Sequence, residues 1–262
     1  MIKEKDKAIL VVSFGTSYKE TRDKTIGAIE ADIQYSWPAY EVRRAFTSGM
    51  ILRVLEKRDG IKIDTVEEAL NGLADDGFSK IYIQPTHVIN GDEYEKMLRD
   101  IDRVESRFET VKVGTPLLTE TSDYQIVAKE ILSQLPKLDK KEALVLMGHG
   151  TEHHVNAVYP AMDYHFKAMG HPNVFVGTVE GYPDLETVLN QVNQYKPEKI
   201  VLLPFMVVAG DHACNDMAGD EEDSWKSVFE AEGYQVDTIL KGLGEFEGIR
   251  DLYLKHLKAI MD

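Results

Sequence analysis

One cysteine, Cys214, is the only thiol in this 262-residue chain. No disulfide can close within it, and no cysteine-based zinc site can be built. Long apolar runs are missing too. None approaches the roughly 20 residues of a membrane helix. The run after the charged start MIKEKDK is about five residues, too short for a secretory h-region, and no small-residue cleavage site follows it. The expectation is a cytoplasmic protein that uses no membrane. Basic residues are in deficit, 30 Lys and Arg against 45 Asp and Glu, for a net charge of −15. That balance argues against nucleic acid and anionic lipid as partners, since both require a basic footprint. Nucleotide and hydrolase signatures are also lacking. There is no GxxxxGK[ST], no GxGxxG after a strand and no GxSxG elbow, and GLGEFEG (242–248) is a poor imitation of the second.

What the chain does have is order. Apolar runs of strand length recur at 8–14, 40–46, 80–89, 110–114, 143–149, 173–179, 199–210 and 234–240. Amphipathic segments lie between them, at 20–34, 65–77, 123–135, 184–195 and 223–233. Continuous apolar strands alternating with helices predict α/β architecture with parallel sheets covered on both faces. The pattern also repeats. AILVVSFGTS (8–17) matches ALVLMGHGTE (143–152) at an offset of 135, and KIYIQPTHVINGDEYEK (80–96) matches KIVLLPFMVVAGDHACND (199–216) at 119. Loops and helix lengths can absorb the difference. Two similar lobes of about four strands follow, 1–137 and 138–262, with a cleft between them. The final helix (244–261) has no counterpart and is expected to cross back onto the first lobe. In the repeat alignment Phe14 falls on His149 and Glu93 on His212, so Glu93 and His212 are expected to face one cleft from its two sides.

Ligands of open α/β sheets bind beyond the carboxyl ends of the strands. Three candidates sit at such ends in the second half: His149, Glu180 and His212. If the first strand of the lobe lies between the second and third, the three ring one point. Two imidazoles and a carboxylate suit a divalent first-row metal with open positions. His153 and His154 follow at once in MGHGTEHHVN. They read as a capping pair, or His154 as a partner that orients His149. His87 reads as a satisfied core histidine, and His165, His171 and His256 as surface residues. The acidic run GDEEDSW (219–225) reads as a solvated helix start.

Taken together, VVSFGTSY, RAFTSGMI, HVINGDEYEK, MGHGTEHHVN, VEGYP and LPFMVVAGDHACNDMAGDEEDSWK resemble the anaerobic-type sirohydrochlorin cobaltochelatases, a family of class II chelatases. The resemblance runs from about Ala8 to the last helix. It implies ATP-independent insertion of Co²⁺ into the tetrapyrrole sirohydrochlorin during cobalamin synthesis, two α/β lobes, and no nucleotide. The family's metal ligands fall on His149, Glu180 and His212, and a further acidic residue of its cleft on Glu93. One position departs: Gly181 stands where some relatives carry serine, a change expected not to touch the chemistry. In this reading Co²⁺ is a substrate, and His149, His212 and Glu93 are the candidates for handling metal and protons. Gly15, Thr16, Ser17, Ser48 and His154 are candidates for the substrate's carboxylates, helped by helix N-termini after SFGTS and GHGTE and by one of Arg43, Arg44 or Arg53. A ligand set of this type also admits Fe²⁺ or Ni²⁺. A metal or tetrapyrrole carrier, a metal-free α/β enzyme acting on a small anion, and a homo-oligomer all remain open at this point.

Overall fold

The computed structural model describes residues 6–135 and 138–261. The chain forms two compact units, Met1–Thr119 with Ile249–Asp262, and Glu120–Gly248. The boundary at 119/120 lies earlier than the expected 137/138, and the two residues just before 138 are outside the described ones. Its physical reason is the helix at 121–133, which packs on the second unit rather than ending the first.

The first unit contains β1 (Lys7–Ser13), α1 (Lys19–Lys24), α2 (Ile26–Ser36), β2 (Glu41–Phe46), α3 (Gly49–Val54), α4 (Val66–Asp75), β3 (Lys80–Pro85), α5 (Asp92–Asp102) and β4 (Thr110–Val113). Its four strands are all parallel, in the order β2-β1-β3-β4. β1 is an uninterrupted apolar run because residues of both parities are buried. Leu10 and Val12 join Ile81 and Ile83 of β3 in a core with Leu70 and Leu73 of α4 and Met97 and Ile101 of α5. Ile9 and Val11, of the other parity, are fully buried as well. Helix α4 starts at a capping box, in which Thr65 and Glu68 satisfy each other's backbone N–H. The amphipathic segment 20–34 is split at Thr25, whose backbone leaves the helical region and whose hydroxyl donates to the Thr21 carbonyl. Helix α5 went unpredicted because DEYEKMLRDID is largely charged and buries only Met97 and Ile101.

The second unit repeats the plan with α6 (Thr121–Ser133), β5 (Glu142–Gly148), α7 (Val158–Ala168), β6 (Val174–Thr178), α8 (Leu185–Tyr195), β7 (Lys199–Pro204), α9 (Trp225–Ala231) and β8 (Gln235–Thr238). The order is β6-β5-β7-β8, again all parallel. One side of its core joins Val145, Met147, Ile200 and Leu202 to Val188, Val192, Trp225 and Phe229. The last helix, α10 (Glu247–Ile260), belongs to the first unit from Ile249 onward. Three contacts tie it there. Arg250 pairs with Asp32 at 2.6 Å, the Tyr253 hydroxyl donates to the Thr86 carbonyl at 2.8 Å, and His256 Nδ1 meets the Thr115 carbonyl at 3.2 Å. His256 is therefore buried rather than on the surface as expected. Its place in the inward stripe of α10, one turn on from Tyr253 and Leu252, is the reason. Among the described residues no helix is long and apolar enough to cross a membrane.

Candidate metal centre

β5 lies between β6 and β7, so the residues that follow these three strands emerge side by side. His149 follows β5 directly. Glu180 stands two residues past β6. His212 comes later, after the segment 205–211 that leaves β7. One donor atom from each lies within 4.8 Å of the other two. The two imidazole rings meet edge to face with centroids 4.7 Å apart, and a Glu180 carboxylate oxygen is 3.7 Å from His149 Nδ1. His149 Nδ1 is also 2.9 Å from the Gly150 carbonyl, which can only accept, so that nitrogen carries hydrogen and the neutral ring has its lone pair on Nε2. His212 Nδ1 lies 2.5 Å from the carboxylate of Asp216. All three ligand candidates keep exposed side chain: 40% for His149, 58% for Glu180 and 32% for His212. A metal ion could reach them from solvent.

The turns that carry His149 and Glu180 interlock. Val179 and Glu180 donate backbone N–H groups to the carbonyls of Gly148 and His149. Asn156 accepts from the Thr151 N–H at 3.1 Å and donates to the Tyr182 carbonyl at 2.6 Å, bridging the two turns. Gly150 adopts φ +81°, and a Cβ there would come within 2.6 Å of the Gly181 nitrogen. A Cβ on Gly181 would in turn come within 2.5 Å of the Asn156 side-chain oxygen. Gly181 lies where the Glu180 turn closes against the His149 turn. Beneath them the buried Tyr159 hydroxyl accepts the Gly150 N–H, and burial pushes its pKa up to about 12.

His153 caps a short 3₁₀ turn, His154–Ala157, by accepting the Val155 N–H on Nδ1. The exposed His154 ring lies 4.1 Å from that of His153. In the first unit Gly15 has φ +101° and lies against the Phe46 ring. Thr16 is buried; its hydroxyl oxygen accepts from the Tyr18 N–H and its carbonyl from Arg22. The Ser17 carbonyl accepts from Arg58. Ser48 is buried and caps α3. The helix after SFGTS is only six residues long, and a 3₁₀ turn precedes the helix after GHGTE. Arg43 pairs with Asp76 and Arg44 with Glu30, which commits both; Arg53 is exposed on α3 and has no carboxylate partner among the described residues. Glu93 sits in the first turn of α5 with one carboxylate oxygen 3.7 Å from Lys96 Nζ, and Lys96 in turn donates to the Thr47 carbonyl. His87 departs from expectation. Its Nδ1 is buried without a hydrogen-bond partner among the described residues, its Nε2 is 3.5 Å from the Thr47 hydroxyl, and burial lowers its pKa to about 4.

Sequence reasoning passed over Asn156, Tyr159 and Asp216. Asp216 alone had a visible signal, a carboxylate four residues after a candidate histidine. The links through Asn156 and Tyr159 depend on how the turns fold over one another.

The family model described as cobalt chelatase (CbiK) matches residues 7–262. Among curated proteins, the chain is 45% identical over 256 residues to the sirohydrochlorin cobaltochelatase of Salmonella typhimurium, covering 98% of this chain and 97% of that protein. It is 34% identical to sirohydrochlorin cobaltochelatase CbiKC of Nitratidesulfovibrio vulgaris, covering 97% and 90%. Among solved structures, SirB from Bacillus subtilis with Fe3+ has a similar fold, with a TM-score of 0.67 at 14% identity, over 97% of this chain and 95% of that one.

Proposed function

The chain belongs to the cobalt chelatase (CbiK) family, and from that premise we propose that it inserts Co²⁺ into sirohydrochlorin without ATP, with His149, Glu180 and His212 as the residues that hold the ion. One observation carries the reading of the site: two imidazoles and a carboxylate from three neighbouring strand ends, with donor atoms within 4.8 Å of one another. Nitrogen and carboxylate donors suit a first-row divalent ion, and three protein ligands leave open positions on it. Those positions are what an incoming macrocycle nitrogen needs.

Insertion replaces protein ligands by macrocycle nitrogens one at a time, while two pyrrole protons leave. A histidine released by the metal can accept a proton near neutrality, because an imidazole titrates at about 6.5. Glu93 is the carboxylate proposed to receive the other. Its carboxylate lies 3.7 Å from Lys96 Nζ, in the first turn of α5.

Sirohydrochlorin is a polycarboxylate, and a chain of net charge −15 offers it no global attraction. Recognition therefore rests on local donors. The Gly15–Ser17 turn, Ser48 and His154 are proposed to contact the substrate, with Arg53 as the cation left uncommitted by the ion pairs of its neighbours.

The test is an anaerobic absorbance assay of metal-free protein with sirohydrochlorin and Co²⁺, Fe²⁺ or Ni²⁺. We expect Co²⁺ insertion well above the uncatalysed rate. We expect it to be lost in His149→Ala and His212→Ala and slowed in Glu93→Gln, while tetrapyrrole binding persists. Insertion of none of the three metals would refute the function. Wild-type turnover in both histidine variants would refute the site.

A further inference from the structure

The two histidines of the metal centre are held by different means. His149 donates Nδ1–H to a main-chain carbonyl, that of Gly150. His212 has its Nδ1 2.5 Å from the carboxylate of Asp216, one turn further on. We infer that Asp216 is a positioning residue: its carboxylate accepts a hydrogen bond from His212 Nδ1–H and so fixes the tautomer and ring orientation in which Nε2 faces the metal. This inference rests on His212 being a ligand, as proposed above.

Three observations support it. First, the turn that joins the two residues is fixed from below. Residues Ala213–Met217 wind as a single π-helical turn, and Ala213 and Met217 at its ends are completely buried. His212 and Asp216 lie on the outer side of that turn. Their pairing is therefore set by the core packing of the residues that follow each of them. It does not depend on two flexible surface side chains finding each other. The Gly210 carbonyl accepts from Cys214 N–H, and the Asn215 carbonyl from Gly219 N–H, which close the turn at both ends.

Second, the internal repeat separates this role from a general need of the fold. At the offset of 119, Pro85 falls on Pro204, Gly91 on Gly210, Glu93 on His212 and Met97 on Asp216. Met97 is fully buried in the core of the first unit. Where the first residue of the pair is a carboxylate, the position four later is a core methionine. Where it is an imidazole, the π-helical turn brings the core methionine one residue later, at Met217, and the position four later carries an outward-facing acceptor.

Third, the chemistry requires a fixed tautomer. A neutral imidazole has one N–H and one lone pair, and only the nitrogen with the lone pair can bind a metal. A carboxylate only accepts, so the nitrogen beside it must be the one that carries hydrogen. Outer carboxylates on metal-binding histidines act in this way, and their removal typically costs about 10- to 100-fold in metal affinity. An asparagine at 216 could present either its oxygen or its NH₂ group, and it would leave the tautomer undetermined.

The experiment uses the full chain without tetrapyrrole. Co²⁺ is titrated into the wild type, Asp216→Asn, Asp216→Ala and His212→Ala, with the visible d–d bands of bound cobalt as the readout. The imidazole ¹⁵N shifts of His212 are recorded on the metal-free proteins at about pH 8.5, where an ordinary imidazole is neutral. Both Asp216 variants should bind Co²⁺ about 10- to 100-fold more weakly with altered d–d bands, and Asp216→Asn should show a mixture of His212 tautomers where the wild type shows one. The Asp216 side chain is 45% exposed, so its replacement leaves the core intact, and an unchanged unfolding midpoint checks this. Wild-type affinity in both Asp216 variants, with binding lost in His212→Ala, would overturn the inference while leaving the metal site standing. Weaker binding with an unchanged ¹⁵N pattern would also overturn it, because the carboxylate would then act through its charge alone. Wild-type binding in His212→Ala would instead refute the ligand assignment on which the inference rests.

Discussion

Replacing Gly150 by alanine strikes the candidate metal centre without touching any of its three proposed ligands. Gly170 provides the control. Both glycines belong to the second unit, and both have left-handed backbone, φ +81° and +87°. A Cβ at 170 would meet nothing within 4 Å, whereas one at 150 would come within 2.6 Å of the Gly181 nitrogen and 2.7 Å of Thr178 Cβ. The left-handed conformation costs an alanine about 1–2 kcal/mol at either site. Crowding at 150 adds about 1–3 kcal/mol, the usual penalty of forcing a methyl group into a packed region. Gly170→Ala should therefore lose about 1–2 kcal/mol and Gly150→Ala about 2–5 kcal/mol. The chain has two tryptophans, Trp37 and Trp225, one in each unit. Urea unfolding in a Trp37→Phe background, followed by fluorescence of the buried Trp225, reports the second unit alone. Co²⁺ titration adds a second readout. The segment that Gly150→Ala must push aside carries Glu180, so it should weaken binding, and Gly170→Ala should not. Equal destabilisation by the two substitutions, or wild-type Co²⁺ affinity in Gly150→Ala, would refute the interlocked-turn account.

Other consequences can be checked in the same way. His87 has a folded pKa lowered to about 4, so the unfolded chain takes up its proton first. The stability contributed by neutral His87 is then present above about pH 6.5 and is lost as pH falls towards 4, by at most about 3 kcal/mol because the residue is only half-buried. His87→Gln should flatten that part of the urea midpoint against pH curve for the first unit, read from Trp37 in a Trp225→Phe background. Tyr253→Phe removes the hydroxyl that donates to the Thr86 carbonyl from inside the first unit. It should cost about 1–3 kcal/mol by urea unfolding, the usual consequence of leaving a buried acceptor unpaired. Asn156→Asp replaces the donor to the Tyr182 carbonyl by an acceptor. It should loosen the Glu180 turn and weaken Co²⁺ binding in titration, with about 1 kcal/mol lost in stability because the site is partly solvated.

Strands β1, β3, β5, β6 and β7 were the most legible because a strand buried on both faces must be largely apolar, whereas the more exposed β2, β4 and β8 left only weaker runs. The ends of the runs were less legible. KIYIQPTHVI continues apolar to residue 89, yet β3 stops at Pro85, because the sheet partners run out where the chain turns towards α5. Charge hid α5 itself, and the fold of the loops hid the burial of His256 and the unpartnered nitrogen of His87. Helix 121–133 shows the limit of pattern reading most clearly. Its amphipathic spacing identified a helix but carried no information about which unit its apolar face would cover.

By itself the sequence determined the α/β class and the duplication, and it singled out His149, Glu180 and His212 as candidates. Each of these depends on local periodicity or on residue type at a strand end, and both are written in one dimension. Tertiary structure alone decided that these three side chains bring their donor atoms within 4.8 Å of one another, that Gly150 and Gly181 let two turns close on each other, and that Asp216 meets His212. Those outcomes depend on strand order and on the packing of Ala213, Met217 and Tyr159 beneath the site. Such contacts join residues from distant parts of the chain, and no local pattern encodes the space between them.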